Sequence, residues 1–369
     1  MAGLYFHIPF CRRICAYCDF HRFADLRLME ETVGVMHREL DDSREFLHDR
    51  TLKTIYFGGG TPSLVEPSQL QRLIDHAARI YDASAVEETT VEVNPDDVNP
   101  RYIEQLRTTS VNRISLGIQS FDDRLLRMMN RRHDSRQAET AVKMLQDAGY
   151  GNITVDLIFG FESFGDDAVA ADLQKTAMLG VQHVSAYHLT VEPGTRFGRM
   201  AARGEFAATS DERSERLFVM IHDRLAEAGF EHYEVSNYAR EGFRARHNSS
   251  YWSGAEYLGI GAGAHSFNGE VRRWCAQNPA EYIAGRRYES ETLTERDRLN
   301  ELIMTSLRRV EGLDSATVAE RFGPACAERL LREAAAAEGY GVVIEKGRIR
   351  IPPERMLVSD AVIEMLFEV

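Results

Sequence analysis

The sequence predicts an α/β protein: a partial (β/α)6 barrel of the TIM type, followed by a smaller C-terminal α+β domain of winged-helix character. Three observations carry that expectation. From Leu4 to about Leu189, apolar β-type runs alternate with longer helix-type stretches, the pattern of parallel βα units. Polar and glycine residues collect at the ends of those runs, where a βα barrel gathers its functional loops. Near the C-terminus, three helical patterns lead into a strand, a tight turn and a second strand.

Strands are expected over 4–8, 53–57, 89–93, 113–118, 152–158 and 183–189. Helices are expected over 69–80, 101–107, 136–147 and 168–178, with Gly149 and Gly180 as C-terminal stops. The texture changes after Leu189. Pro193-Gly194-Thr195, a helix over 211–229 and a glycine-punctuated stretch from Ser253 to Gly269 read as an extension closing the barrel's open side. Helical patterns over 293–310, 315–322 and 326–338 then precede strands at 341–345 and 348–351 around Lys346-Gly347. The domains expected are thus 1–200, 201–290 and 291–369.

The chain has 369 residues, enough for a large domain and a smaller one. With 44 basic against 57 acidic residues, its net charge of −13 argues against nucleic acid as a partner, and the winged-helix pattern has no basic stripe. It reads instead as a packing or partner module. No apolar run approaches the ~18 residues of a membrane span, and no charged and then apolar leader precedes the first strand, so a cytoplasmic protein is expected. Five cysteines, three of them in one loop, do not make a disulfide framework; a reducing compartment would keep them free.

Those three cysteines are the most informative feature. Cys11-Arg-Arg-Ile-Cys15-Ala-Tyr-Cys18 follows the first strand and Pro9 directly. Thiolates so spaced can hold three irons of a [4Fe–4S] cube and leave the fourth without a protein thiolate. A zinc site usually takes four ligands in paired cysteines, and only Cys275 and Cys326 remain. Gly58-Gly59-Gly60-Thr61-Pro62-Ser63 closes the second strand; its glycines permit close backbone approach to a ligand, although structural turns use glycine as well, and no P-loop ending follows. Glu92, Gln119 and Asp156 are polar within the third, fourth and fifth strand segments. Each alone reads as a structural hydrogen-bond link, whereas several at successive strand ends favour a ligand site. His247-Asn248-Ser249-Ser250-Tyr251-Trp252 offers an imidazole and two flat faces to a porphyrin, though on the residues alone a structural loop is the plainer reading. His265, in a glycine-rich loop, reads as part of a turn.

The C-x3-C-x2-C spacing, with Tyr17 before the last cysteine, resembles the signature of the radical S-adenosylmethionine superfamily. Over nearly all its length the chain is similar to the anaerobic coproporphyrinogen III oxidase-like family, and its intact HNxxYW run resembles the heme chaperones within that family. The resemblance implies a [4Fe–4S] cluster on Cys11, Cys15 and Cys18. It implies S-adenosyl-L-methionine (SAM) bound by Tyr5, Gly59, Gly60, Thr61, Glu92, Gln119, Arg131 and Asp156, with the Arg131 fork suited to the methionine carboxylate, and His265 near the adenosyl group as a weaker expectation. It implies heme at His247, acceptor hemoproteins (membrane-associated ones included) and an electron donor as partners, and heme transfer as the function. The alternatives are oxygen-independent coproporphyrinogen III dehydrogenase activity and a radical enzyme with an unrelated substrate. Against the former, Phe20 stands where the dehydrogenases carry a fourth cysteine, and only ten residues precede Cys11 where they carry an N-terminal arm.

Overall fold

A computed structural model describes residues 2–368. Six parallel strands form its centre: β1 (Ala2–Ile8), β2 (Leu52–Gly59), β3 (Glu88–Val93), β4 (Arg113–Gln119), β5 (Ile153–Phe159) and β6 (His183–His188). Neighbours in sequence are neighbours in the sheet, because each connection returns through a helix to the same sheet edge. These crossovers are α1 (Met29–Asp42), α2 (Pro67–Ile80), α3 (Pro100–Leu106), the pair α4 (Asp123–Met128) and α5 (Ser135–Asp147), and α6 (Asp166–Met178). The six strand segments and four helices expected from sequence are all present, with ends shifted by a few residues; α1 and α4 were not anticipated.

Local chemistry accounts for the boundaries. Proline at the first helical position opens α2 and α3, and Asp134 with Gln137 makes a capping box at α5. Gly149 and Gly180, at φ 95° and 67°, turn the chain out of α5 and α6. The strands are buried on both faces, with Phe6 and Phe57 stacked at 4.7 Å across β1 and β2.

Beyond β6 come α7 (Arg196–Ala201), α8 (Asp211–Glu227) and a hairpin of β7 (Glu231–Glu234) and β8 (Asn237–Ala239). The HNSSYW run lies in α9 (Arg246–Trp252), followed by β9 (Tyr257–Ile260), β10 (His265–Phe267), β11 (Val271–Trp274), α10 (Pro279–Ala284) and β12 (Glu289–Thr292). The segment after the barrel feeds both edges of one twelve-stranded sheet: β8 and β7 lie outside β6, while β9 to β12 lie outside β1, with β9 parallel to it. Glu39 of α1, fully buried, accepts hydrogen bonds from the Gly261 amide (2.8 Å), Tyr288 (2.6 Å) and Tyr282, and so fixes the 261–264 turn against the barrel.

The C-terminal part holds α11 (Glu295–Leu307), β13 (Leu313–Asp314), α12 (Ser315–Phe322), α13 (Pro324–Ala336), β14 (Val343–Glu345), β15 (Arg348–Arg350) and α14 (Ser359–Leu366). Three helices and a small antiparallel sheet in the order β13-β15-β14 give the expected winged-helix outline, and α14 adds a fourth helix. Among the described residues no helix is long and apolar enough to cross a membrane.

Candidate cluster and cofactor site

The C-terminal ends of β1 to β6 surround a cavity of about 440 Å³. Its lining includes Cys11, Cys15 and Cys18 together with Gly59, Gly60, Thr61, Glu92, Gln119, Arg131 and Asp156. Ten residues drawn from six separate sequence segments are thus brought to one place. Tyr5 and His247 are not in that lining.

The cysteine loop is pinned from several sides. The Cys11 amide donates to the Phe23 carbonyl (2.9 Å), Ala16 to Met129 (2.9 Å), and the Asn130 side chain donates to the Ile14 carbonyl (2.7 Å). Asn130 does so from φ 62°, a left-handed conformation that asparagine tolerates. All five cysteines are free. Burial pushes the Cys11 thiol up and Cys18 to about 11, so both are protonated until something replaces the proton. Among the described residues no three side chains converge on a point as single-ion ligands do; a cubane spreads its thiolates over separate irons and needs no such point. Two donors already face the sulfurs, Thr61 Oγ1 at 3.4 Å from Cys11 and an Arg131 guanidinium nitrogen at 3.3 Å from Cys15. Soft sulfur donors in a loop, with hydrogen bonds to the sulfurs prepared, fit an iron–sulfur cluster.

The glycine turn is a cradle in the literal sense. A Cβ on Gly60 would stand 2.7 Å from the Phe10 carbonyl oxygen and 2.8 Å from that of Ile8, and one on Gly58 2.8 Å from Glu92. Gly59, at φ 108°, donates its amide to Glu92 Oε2 (3.1 Å), while Tyr56 OH donates to Oε1 (2.9 Å). Burial raises Glu92 to about 7, with the nearby Asp156 carboxyl adding to the rise; burial likewise takes Asp156 to about 6 although Ser185 and Ser115 donate to it. Two carboxyls so raised are poised to ionise when a cation arrives.

Arg131 uses one nitrogen on Asn94 Oδ1 (2.7 Å) and the Gly117 carbonyl (2.6 Å), and its Nε is buried with no partner among the described residues. Arg132, its neighbour in sequence, also borders the cavity but is paired with Asp96. Gln119 lines the cavity at φ 71°, just past an irregularity in the pairing of β4 with β5. A strained glutamine is retained where the surrounding structure holds it, a pattern concentrated at functional sites. Three further residues shape the site without having been singled out from sequence: Tyr56, Asn94 and Ser115. Tyr56 and Ser115 are polar residues inside strand segments, the signal that pointed to Glu92; Asn94 ends its strand before a proline.

His247 occupies a different position. It is 1 % exposed, with Nδ1 bonded to Thr54 Oγ1 and Nε2 to Tyr251 OH, both at 2.8 Å. Its ring stacks on Tyr56 (5.0 Å) and Tyr5 (6.3 Å), and burial lowers its pKa to about 3, which keeps it neutral. Tyr5 OH meets His7 Nδ1 at 3.1 Å and faces a second cavity.

Residues 5–175 match the family model of the radical SAM superfamily, and residues 293–358 match that of the HemN C-terminal domain. A protein named heme chaperone HemW from Lactococcus lactis is 36 % identical over 317 residues, covering 84 % of this chain and 82 % of its own. HemW proteins of Mycobacterium tuberculosis (33 % over 374 residues, 99 % and 94 %) and Escherichia coli (32 % over 366 residues, 94 % and 95 %) are alike at similar levels. The chain belongs to the HemW family.

As a radical SAM protein of the HemW family, it has a [4Fe–4S] cluster and SAM as cofactors. Its fold is that of the solved E. coli coproporphyrinogen III oxidase (HemN), at TM-score 0.82 and 20 % identity over 99 % of this chain and 90 % of that one. The coproporphyrinogen dehydrogenase alternative is not favoured, since the relatives from L. lactis, M. tuberculosis and E. coli all carry the chaperone name.

Proposed function

We propose that this HemW-family chain binds heme and hands it to acceptor hemoproteins, with the cluster and SAM seated in the cavity at the strand ends. The observation that carries the reading is identity of 32–33 % to proteins named heme chaperone over 94 % or more of this chain, spanning the barrel, the HNSSYW helix and the C-terminal module. In this reading Cys11, Cys15 and Cys18 hold three irons. When bound and reduced, the cluster supplies single-electron chemistry at the sulfonium. Gly59, Gly60 and Thr61 line the methionine end, Glu92 and Asp156 receive positive charge, and Arg131 turns its remaining donors toward the carboxylate. Thr61 and Arg131 keep their hydrogen bonds to the sulfurs and tune the cluster. The acceptors, membrane-associated ones included, and the electron donor belong to the same proposal, as does a reducing cytoplasmic setting, which the five free thiols support.

The test is anaerobic titration of the cluster-loaded protein with heme, followed by mixing with an apo-hemoprotein and, separately, with coproporphyrinogen III and SAM. Stoichiometric heme uptake and its transfer, without protoporphyrinogen formation, are expected. Absence of heme uptake, or steady decarboxylation of coproporphyrinogen, overturns the reading.

A further inference from the structure

The HNSSYW helix does not open onto the cluster cavity; it borders a second and larger one of about 730 Å³, between the β9–β10 turn and α11 of the C-terminal module. That volume lies within the ~300–1,000 Å³ usual for cofactor-sized ligands. Its lining includes six flat aromatic rings, Tyr5, Phe20, Tyr251, Trp252, Tyr257 and Phe267. Phe20, 65 % exposed, lines both cavities.

Three histidines border this space, and they differ in what their ring nitrogens are doing. His7 is bonded at both, to Tyr5 OH and to the His21 carbonyl. His21 is held through Nε2 on the Gln277 carbonyl at 2.7 Å. His265 has no hydrogen bond to either nitrogen among the described residues, is exposed, and lies flat against Trp274 at 5.9 Å and 16°. The turn before it is anchored by Glu39 through Gly261. Partial burial of its ring and the nearby Arg272 lower its pKa, which favours the neutral, ligating form.

The cations divide in the same way. Arg272 is already satisfied by Glu291 (3.1 Å) and Glu301 (2.6 Å). Arg298 and Arg321, also at the cavity, form no ion pair among the described residues; Arg321 only overlies its neighbour Phe322 at 5.3 Å. An open imidazole, a set of flat faces and two unspent guanidinium groups are complementary to a planar metal chelate with two carboxylates.

We propose that the heme cargo sits in this second cavity, with His265 as an axial iron ligand and Arg298 and Arg321 facing the propionates. His247 is then a positioning residue: both its nitrogens are committed, and through Nε2 it holds Tyr251, which forms part of the wall. The assignment rests on the heme-chaperone reading and says where the cargo binds.

The test uses the full-length, cluster-loaded protein, titrated with ferric heme and followed by the Soret band and by EPR. Wild type is expected to show an imidazole-ligated iron. His265→Ala should weaken heme binding at least tenfold and lose that signature, with free imidazole restoring it, while the cluster absorbance stays intact. His247→Gln should keep the imidazole signature even where affinity falls. Arg298→Glu should weaken heme several-fold but leave the dimethyl ester of heme unaffected, and iron-free protoporphyrin should be indifferent to His265→Ala. If His265→Ala keeps the wild-type spectrum and affinity, or if His247→Gln alone abolishes imidazole ligation, the site is wrong while the chaperone reading stands. A wild-type protein that takes up no heme overturns both.

Discussion

Glu92→Gln is expected to stabilise the cofactor-free protein above neutral pH while removing its hold on SAM. The carboxyl has an ordinary value of 4.5 and stands at about 7 in the folded chain, chiefly through burial. Between those pH values the folded protein keeps a proton that the unfolded chain has released. Stability linked to Glu92 is therefore fully present below pH 4.5 and is lost as pH rises through 7. The rise corresponds to roughly 3 kcal/mol at ~1.4 kcal/mol per pH unit. Because Glu92 lines a cavity open to water, screening reduces this to about 1–2 kcal/mol. Glutamine preserves the local contacts: its oxygen accepts from the Gly59 amide, and its amide nitrogen donates to the Tyr56 hydroxyl oxygen, which accepts as readily as it donates. The assay is urea denaturation of the apo protein and of E92Q at intervals from pH 5 to 8, paired with SAM binding by calorimetry. E92Q should be the more stable by about 1–2 kcal/mol at pH 8, the gap closing toward pH 5, with SAM affinity down at least tenfold. Parallel stability profiles, or full SAM affinity in E92Q, would refute the account of Glu92 as a buried carboxyl awaiting a cation.

Serine at Cys11, Cys15 or Cys18 should abolish the brown absorbance of the reconstituted protein, since an alcohol is a poor ligand for iron in a thiolate site; a full complement of four irons in any of the three variants counts against the loop as the cluster site. Gly60→Ala drives a methyl into the backbone of Ile8 and Phe10, next to Cys11, and should cost about 1–3 kcal/mol with lower cluster occupancy; thermal unfolding and iron content report both. Arg131→Lys removes the planar fork and the second nitrogen that faces the Cys15 sulfur, leaving one ammonium in place of the guanidinium that serves Asn94 Oδ1 and the Gly117 carbonyl. A loss of about 1–3 kcal/mol in stability and of at least tenfold in SAM affinity is expected, and wild-type values in both would remove Arg131 from the site.

Much of the barrel was legible because its signals are local. A parallel strand buried on both faces must be a short apolar run, a helix returning over it must be amphipathic, and glycine and proline mark the joints, so the six strand segments and four of the crossover helices stand in the sequence itself. Helix α4, six residues long and packed in a small cluster with Ala16 and Phe161, has too short a period to register. The cysteines, the glycine turn and the polar strand residues were equally readable, since each is unusual where it stands. Arg131 was assigned by resemblance alone; in the structure it bonds Asn94 Oδ1 and the Gly117 carbonyl, while its neighbour Arg132 pairs with Asp96.

The sequence by itself determined the alternation of strands and helices, the loop chemistry and the presence of the HNSSYW run, all of which depend on residues close together in the chain. Only the tertiary structure decided how those pieces share space. Strands β9 to β12 add to the β1 edge while β7 and β8 add to the β6 edge, so the segment after the barrel is divided between two flanks rather than laid along one. His247 is turned inward onto Thr54, Tyr56 and Tyr251, whereas His265 remains open in a cavity that Arg298 and Arg321 also line, neither of which forms an ion pair among the described residues. The reason is physical: whether an imidazole is free to ligate depends on which hydroxyls and rings reach it from residues far away in the chain, such as Thr54 from His247, and no local pattern encodes that.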